Sequence, residues 1–201
     1  MLKPQDIVIL LKMISSSPLS QNELAVLLCM SVSEVNAGLK RLASSGLLVP
    51  AFQEGSKSKA VYVINKHACE EYLISGVKYS FPAKLGEYTR GIATAYAAPI
   101  LSEHIVLGDD PIPVWPYGEG DERGLALAPL YSSVPKSVAQ HPDPHFYDLL
   151  VLLDTIRIGR ARERSIAEKL LKEIINDKTQ RKSNIKSGHA RDGGKKTRQA
   201  E

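Results

Sequence analysis

Two capping boxes stand eleven residues apart near the start of this chain, at Ser20-Gln21-Asn22-Glu23 and Ser31-Val32-Ser33-Glu34. In each, the serine hydroxyl accepts from the free N–H three residues on, and the glutamate reaches back to the serine N–H, so each starts a helix. The first helix is short, with Leu24, Leu27 and Leu28 on its apolar face and Met30 at its end. The second puts Val32, Val35, Leu39 and Leu42 on one face, and Gly46 is placed to end it in the left-handed conformation. Ahead of both, Pro4 opens a helix carrying Ile7, Leu10, Leu11 and Ile14 at helical spacing, and Ser15-Ser16-Ser17-Pro18 closes it. Two capped helices joined by a few residues and backed by a third form a helix-turn-helix.

The continuation sharpens this reading. Leu47-Leu48-Val49-Pro50-Ala51-Phe52 reads as a strand that Pro50 confines to an edge or a kink. A polar turn over 53–59 leads to a second strand, Ala60-Val61-Tyr62-Val63-Ile64. Helix, helix, helix, hairpin is the order of a winged helix. In Ser20-Gln21-Asn22-Glu23-Leu24-Ala25, the 31–34 cap, Leu39-Lys40-Arg41-Leu42 and Ser45-Gly46-Leu47-Leu48, residues 5–64 resemble the winged helix-turn-helix of MarR-type bacterial regulators. The resemblance covers about a third of the chain and implies DNA binding by a dimer whose terminal helices pair. A weaker resemblance, carried by Thr89-Arg90-Gly91-Ile92-Ala93-Thr94-Ala95-Tyr96 and the later stretch 149–164, is to bacterial winged-helix proteins encoded beside nucleotidyltransferase-like toxins. It implies an autorepressing antitoxin or defence regulator in which residues 81–177 grip a partner protein.

Beyond the hairpin, a short helix is expected over 66–74. Residues 81–145 hold much of the proline and glycine, and are expected to be irregular but ordered. Within them, 114–117 and 123–127 read as a hairpin around the polar loop 118–122. Residues 146–177 read as one long helix started by Asp143 or Pro144, about 45–50 Å long at ~1.5 Å per residue. Its Leu149, Leu150, Leu152, Leu153, Ile156, Ala167, Leu170, Leu171, Ile174 and Ile175 make an apolar surface broader than one face needs. The expected class is therefore α+β, mainly α. A winged helix occupies 1–64, an irregular Pro/Gly-rich linking and interaction segment 65–145, a long C-terminal helix 146–177, and a disordered basic tail 178–201.

Charge is uneven along the chain. The total is +4, but residues 1–64 carry +2, 65–145 carry −4, 146–177 are neutral and 178–201 carry +6. The basic balance sits largely in the tail, so nucleic-acid binding has to be argued from local features. No apolar run reaches the ~18 residues of a membrane span. The N-terminal apolar run is broken by Lys12 and lacks a small-residue cleavage site, which argues against a signal peptide. Cys29 and Cys69 both sit in helix-like apolar patterns, which fits a reduced, cytoplasmic protein.

With its apolar side inward, the second capped helix turns Ser31, Ser33, Asn36, Ala37, Lys40 and Arg41 outward. Asparagine suits an adenine edge, and lysine and arginine suit guanine edges or phosphates. On the wing, Lys57 and Lys59 beside Gly55 suit the minor groove or a flanking phosphate. Arg157, Arg160 and Arg164 share a helix face, and with Leu149, Leu153 and Ile156 they mark a partner or dimer interface. The competing reading of these arginines is pairing with Asp154, Glu163 or Glu168. The prolines in His141-Pro142-Asp143-Pro144-His145 break the one-face spacing of a zinc motif, so no metal site is expected. Neither G-x-S-x-G, nor a phosphate-cradling glycine loop with lysine, nor H-E-x-x-H occurs, and no catalytic residue or cofactor is expected. An enzyme would have to use His104, Asp109 or Asp110. The expected function is sequence-specific binding of double-stranded DNA by a cytoplasmic homodimer. Such a protein would be an autoregulating repressor, antitoxin-like, with a toxin as protein partner and no membrane association. The alternative is a protein-interaction adaptor built on a winged helix.

Overall fold

The computed structural model describes residues 1–16, 18–52 and 60–177. Lys57, Lys59 and the 178–201 tail lie outside the described residues. The chain opens with α1 (Pro4–Ser15), α2 (Gln21–Leu27) and α3 (Val32–Ser44), followed by the antiparallel strands β1 (Leu48–Phe52) and β2 (Ala60–Ile64). Both expected capping boxes form. Glu23 N–H donates to Ser20 Oγ at 3.2 Å and Ser20 N–H to Glu23 Oε2 at 2.7 Å; the Ser31–Glu34 pair repeats this at 3.2 and 3.0 Å. Gly46 has φ +77°, the left-handed turn that releases the chain from α3 into β1. The winged-helix order read from the sequence is the order observed, and the class is α+β, mainly α.

After β2, α4 (Lys66–Glu71) runs through a π-helical turn, Tyr72–Gly76, into α5 (Val77–Ser80). The middle of the chain then departs from the expected hairpin. Strand β3 (Leu85–Ala93) pairs antiparallel with both β4 (Pro113–Pro116) and β5 (Glu122–Leu127), and β4 and β5 pair with each other in parallel. Three strands thus close on themselves. Gly91 stands opposite Pro116 on one side and Glu122 on the other. The backbones meet there closely: a Cβ at Gly91 would lie 2.0 Å from the Trp115 carbonyl oxygen, and one at Gly124 1.9 Å from that of Ile112. Only glycine permits this approach. Between β3 and β4 the chain makes two short 3-10 turns, Ala95–Ala97 and Pro99–Leu101, and is otherwise irregular, as expected for much of this segment.

The C-terminal helical stretch is two helices, α7 (Pro144–Ile158) and α8 (Ala161–Asn176), preceded by α6 (Val134–Gln140). Asp143 caps α7 by accepting from Phe146 N–H at 3.2 Å. Gly159 ends α7 in an extended conformation (φ −62°, ψ 152°), and Arg160 N–H donates to Glu163 Oε2 at 2.8 Å to start α8. The break folds α8 back on α7 and solves the excess of apolar surface, because α7 is enclosed on every side. All residues from Leu149 to Ile156 are buried. One hydrophobic core runs through α1, α2, α3, α7 and α8, with Ile7 to Leu11 all at 0% exposure. The boundary expected after residue 64 is therefore crossed by the core.

Ionic pairs fasten α1 to both halves. Asp6, fully buried, accepts from Arg41 Nε at 2.8 Å and Nη2 at 2.6 Å, and from Lys3 N–H at 2.8 Å. Lys12, also buried, meets Asp143 at 2.6 Å and lies 5.0 Å from the Phe146 ring centroid. A third buried carboxylate, Asp154, accepts from Trp115 Nε1 at 2.6 Å, Thr94 Oγ1 at 3.0 Å and Arg157 Nη1 at 2.6 Å, tying the small sheet to α7. Burial pushes the Asp154 carboxyl up, against the pull of Arg157, Trp115 and Thr94.

Candidate nucleic-acid interface

The capping boxes fix how α2 and α3 present themselves. Val35, Leu39 and Leu42 pack inward, and on the other side of α3 Ser33 and Lys40 are exposed and Asn36 and Ala37 half-buried among the described residues. Val32, Ser33, Asn36, Ala37 and Lys40 line a shallow open concavity of about 420 Å³. Five residues spaced along one helix face, mostly small at the N-terminal end, allow close approach of a flat or grooved partner. Asn36 Nδ2 donates to Gln21 Oε1 of α2 at 3.1 Å. That bond does not use the Asn36 carbonyl oxygen or its second N–H, the acceptor and donor an adenine edge requires. Lys40 is exposed.

Two expected members of this face have other duties. Ser31 is the α3 cap, its hydroxyl committed to Glu34 N–H and to Glu34 Oε2 at 2.8 Å. Arg41 points away from the face, held in its forked pair with Asp6, which raises its pKa further above the ordinary arginine value. The helical period explains this, since Arg41 sits one residue past Lys40 and about 100° around the axis.

The turn between α2 and α3 is held from behind by residues far along the chain. Ser133 Oγ donates to Leu28 O and Ser137 Oγ to Leu27 O, both at 2.7 Å, satisfying carbonyls at the end of α2. Tyr131 Oη donates to Glu34 Oε1, and this bond, followed by the Ser31 N–H, holds the Glu34 carboxyl below the ordinary range. Cys29 in that turn has φ +52° and is half-buried, with Sγ 3.6 Å from Gln140 Oε1, so it is a turn residue more than a core thiol. Cys69 is the core thiol, and burial pushes it up to about 12.

The expected partner or dimer residues separate into three groups. Leu149, Leu153 and Ile156 are at 0% exposure inside the chain's own core and offer no surface to a partner in this fold. Arg157 is buried against Asp154 and donates from Nε to Phe81 O at 2.8 Å. Arg164 donates to the carbonyls of Ile156 (3.2 Å) and Gly159 (3.0 Å), closing the end of α7. Arg160 is exposed at the start of α8. The intramolecular alternative weighed for these arginines accounts for Arg157, and a backbone version of it for Arg164.

His104, Asp109 and Asp110 are exposed along the loop that precedes β4. Among the described residues, no three His, Cys, Asp or Glu side chains stand close enough to share an ion, and no helix is long and apolar enough to cross a membrane. Sequence reasoning named Asp154 as a partner for the arginines but missed its bonds to Trp115 and Thr94, and missed a pair of facing arginines, Arg90 and Arg123, on the small sheet. The repeated Arg-Gly dipeptides at 90–91 and 123–124 were the available signal for the second. No family model, curated protein or solved structure matches the chain.

Proposed function

We propose that the chain is a sequence-specific DNA-binding regulator that inserts α3 into the major groove. The observation that carries this reading is the open concavity on α3 lined by Ser33, Asn36, Ala37 and Lys40, on a helix whose start is capped and whose preceding turn is braced. In it, Asn36, steadied by Gln21, reads a base edge, and Lys40 meets a phosphate or a guanine. The wing and the basic tail add phosphate contacts. Two copies would address half-sites about 34–36 Å apart. The natural target is the protein's own upstream region, as for an autoregulating repressor, and an antitoxin-like role with a protein partner follows from the weaker of the two sequence resemblances.

The adaptor reading draws on one observation: Val49, Val61 and Val63 are 49%, 36% and 44% exposed on one side of the hairpin, where Val49 faces Val63. Titration of the upstream duplex against a random duplex at two salt concentrations separates the readings. Preference for the upstream duplex at both salts, lost in an Asn36→Ala/Lys40→Ala variant, supports the regulator. Sequence-blind, steeply salt-dependent binding overturns it and favours the adaptor.

A further inference from the structure

The outer face of the small sheet carries an arrangement that the α3 reading does not use. Arg90 on β3 and Arg123 on β5 are direct cross-strand partners, and Tyr88 faces Leu125 one step further along the same face. Side chains alternate along a strand, so Tyr88, Arg90 and Arg123 project together, while Gly91 and Gly124 lie on the inner side where the backbones touch. Arg90, Arg123 and Tyr88 are all exposed, Tyr88 at 60%. Like charges directly opposed across a ladder destabilise it, and among the described residues neither arginine has an ion-pair partner. Glu119 and Asp121 in the adjoining turn, and Glu122 at the start of β5, form no ion pair with either guanidinium. Arg90 is also held in place: its Nε donates to the Gly120 carbonyl at 2.5 Å, a bond that does not use the terminal nitrogens.

We infer that Arg90 and Arg123 form a phosphate clamp for a nucleotide unit, with the Tyr88 ring as the platform for its base. Two arginines side by side across a ladder relieve their mutual repulsion by sharing an anion, and their planar forks match a phosphate. Positions two apart on a strand are about 6.6–6.8 Å apart, a step that lets one phosphate sit on the arginines while an attached base stacks on Tyr88. The glycine-locked backbone keeps the three side chains in fixed relation. This site is separate from α3 and stands whether or not α3 reads DNA. The nucleotide can come from a single strand or be free in solution.

The test uses the full chain, a fluorescent twelve-nucleotide oligothymidylate followed by anisotropy at several salt concentrations, and AMP followed by calorimetry. Arg90→Gln/Arg123→Gln should weaken binding of whichever ligand binds by tenfold or more, and for the strand should lower the salt slope by about 0.7, the release expected from the one phosphate the two arginines share. Arg123→Gln alone, at a side chain with no structural hydrogen bond, should weaken it at least threefold, and Tyr88→Ala at least fivefold. A control with the same charge change at exposed α8 positions, Arg162→Gln/Lys169→Gln, should shift affinity less than twofold. Binding of the strand alone assigns a strand site, and binding of AMP a free-nucleotide site. The clamp is overturned if the wild type binds neither ligand, if the sheet variants bind as the wild type does, or if the α8 control loses as much. It is equally overturned if the sheet variants lose only an acidic peptide such as oligoglutamate.

Discussion

Arg41 grips Asp6 through two nitrogens, at 2.8 and 2.6 Å, across the contact between α3 and α1. The carboxylate is fully buried, and the guanidinium is what makes its burial tolerable. Removing one partner of such a pair leaves the other charged and unmatched. Arg41→Ala is expected to destabilise the fold by about 3 kcal/mol, at the lower end for a broken buried pair because Arg41 is partly exposed. Urea unfolding measures this. The double change Asp6→Asn/Arg41→Met should recover much of the loss. If Arg41→Ala unfolded at the wild-type midpoint but abolished DNA binding, Arg41 would be a groove residue after all.

The brace behind the helix-turn-helix makes a second expectation. Tyr131→Phe removes the hydroxyl bound to Glu34 and leaves the ring in place. The Glu34 carboxyl should rise toward its ordinary 4.5, having lost the strongest influence holding it down. Stability should fall by only about 1 kcal/mol, the usual worth of one hydrogen bond. Amide exchange should quicken at the N-terminal turn of α3, where Ser31 and Glu34 close the cap. Unchanged exchange there would show that Tyr131 does not brace the helix.

Closure of the small sheet depends on absent side chains. Gly91→Ala would place a methyl 2.0 Å from the Trp115 carbonyl oxygen, and backbone cannot swing aside as a side chain can. A loss of about 3 kcal/mol or more is expected, the upper range for overpacking. Trp115 is the chain's one tryptophan and is buried beside Asp154, so its fluorescence reports directly on this region. Gly118→Ala, with nothing within 4 Å of the added carbon, serves as the neutral comparison.

Acid should loosen the joint between α1 and α7. Burial pushes the Asp143 carboxyl up, but Lys12, the Phe146 N–H and Ser15 outweigh it and hold it below its ordinary 3.8. A carboxylate lowered in the folded state contributes stability that is complete above the unfolded value and is lost as pH falls through the folded one. Asp143→Asn keeps a capping side chain but strands Lys12. It should cost about 2 kcal/mol at neutral pH, less than a fully buried pair because Asp143 is partly open to water. The gap between variant and wild type should narrow as pH falls below 3.8. Asp154 acts with the opposite sign: its raised carboxyl favours the folded state as pH falls toward 3.8, which softens the acid loss.

Local chemistry was readable from sequence and distant chemistry was not. The capping boxes, the Gly46 stop and the Asp143 cap each depend on residues three or four apart, so spelling them out located them. The face of Ser33, Asn36, Ala37 and Lys40 followed from helical period alone. The closed sheet did not, because β4 and β5 look like a hairpin until β3, some 20–30 residues earlier, is placed between their directions. The role of Leu149, Leu153 and Ile156 turned on the break at Gly159. Read as one rod, the segment has apolar surface left over for a partner; folded back on itself, it has none. Helical period alone turns Arg41 away from Lys40, but its partner Asp6, thirty-five residues away, was not legible.

Helix α1 is enclosed by α3 on one side and α7 on the other, with Ile7 to Leu11 sealed from water. The helix-turn-helix is thus no detachable reading head. A fragment ending at Ile64 would bare the α7-facing side of α1 and unpair Lys12, and should aggregate or fail to fold. The C-terminal helices and the seat of α3 thus rest on the same helix, and a substitution that shifts α7 against α1 should also disturb α3.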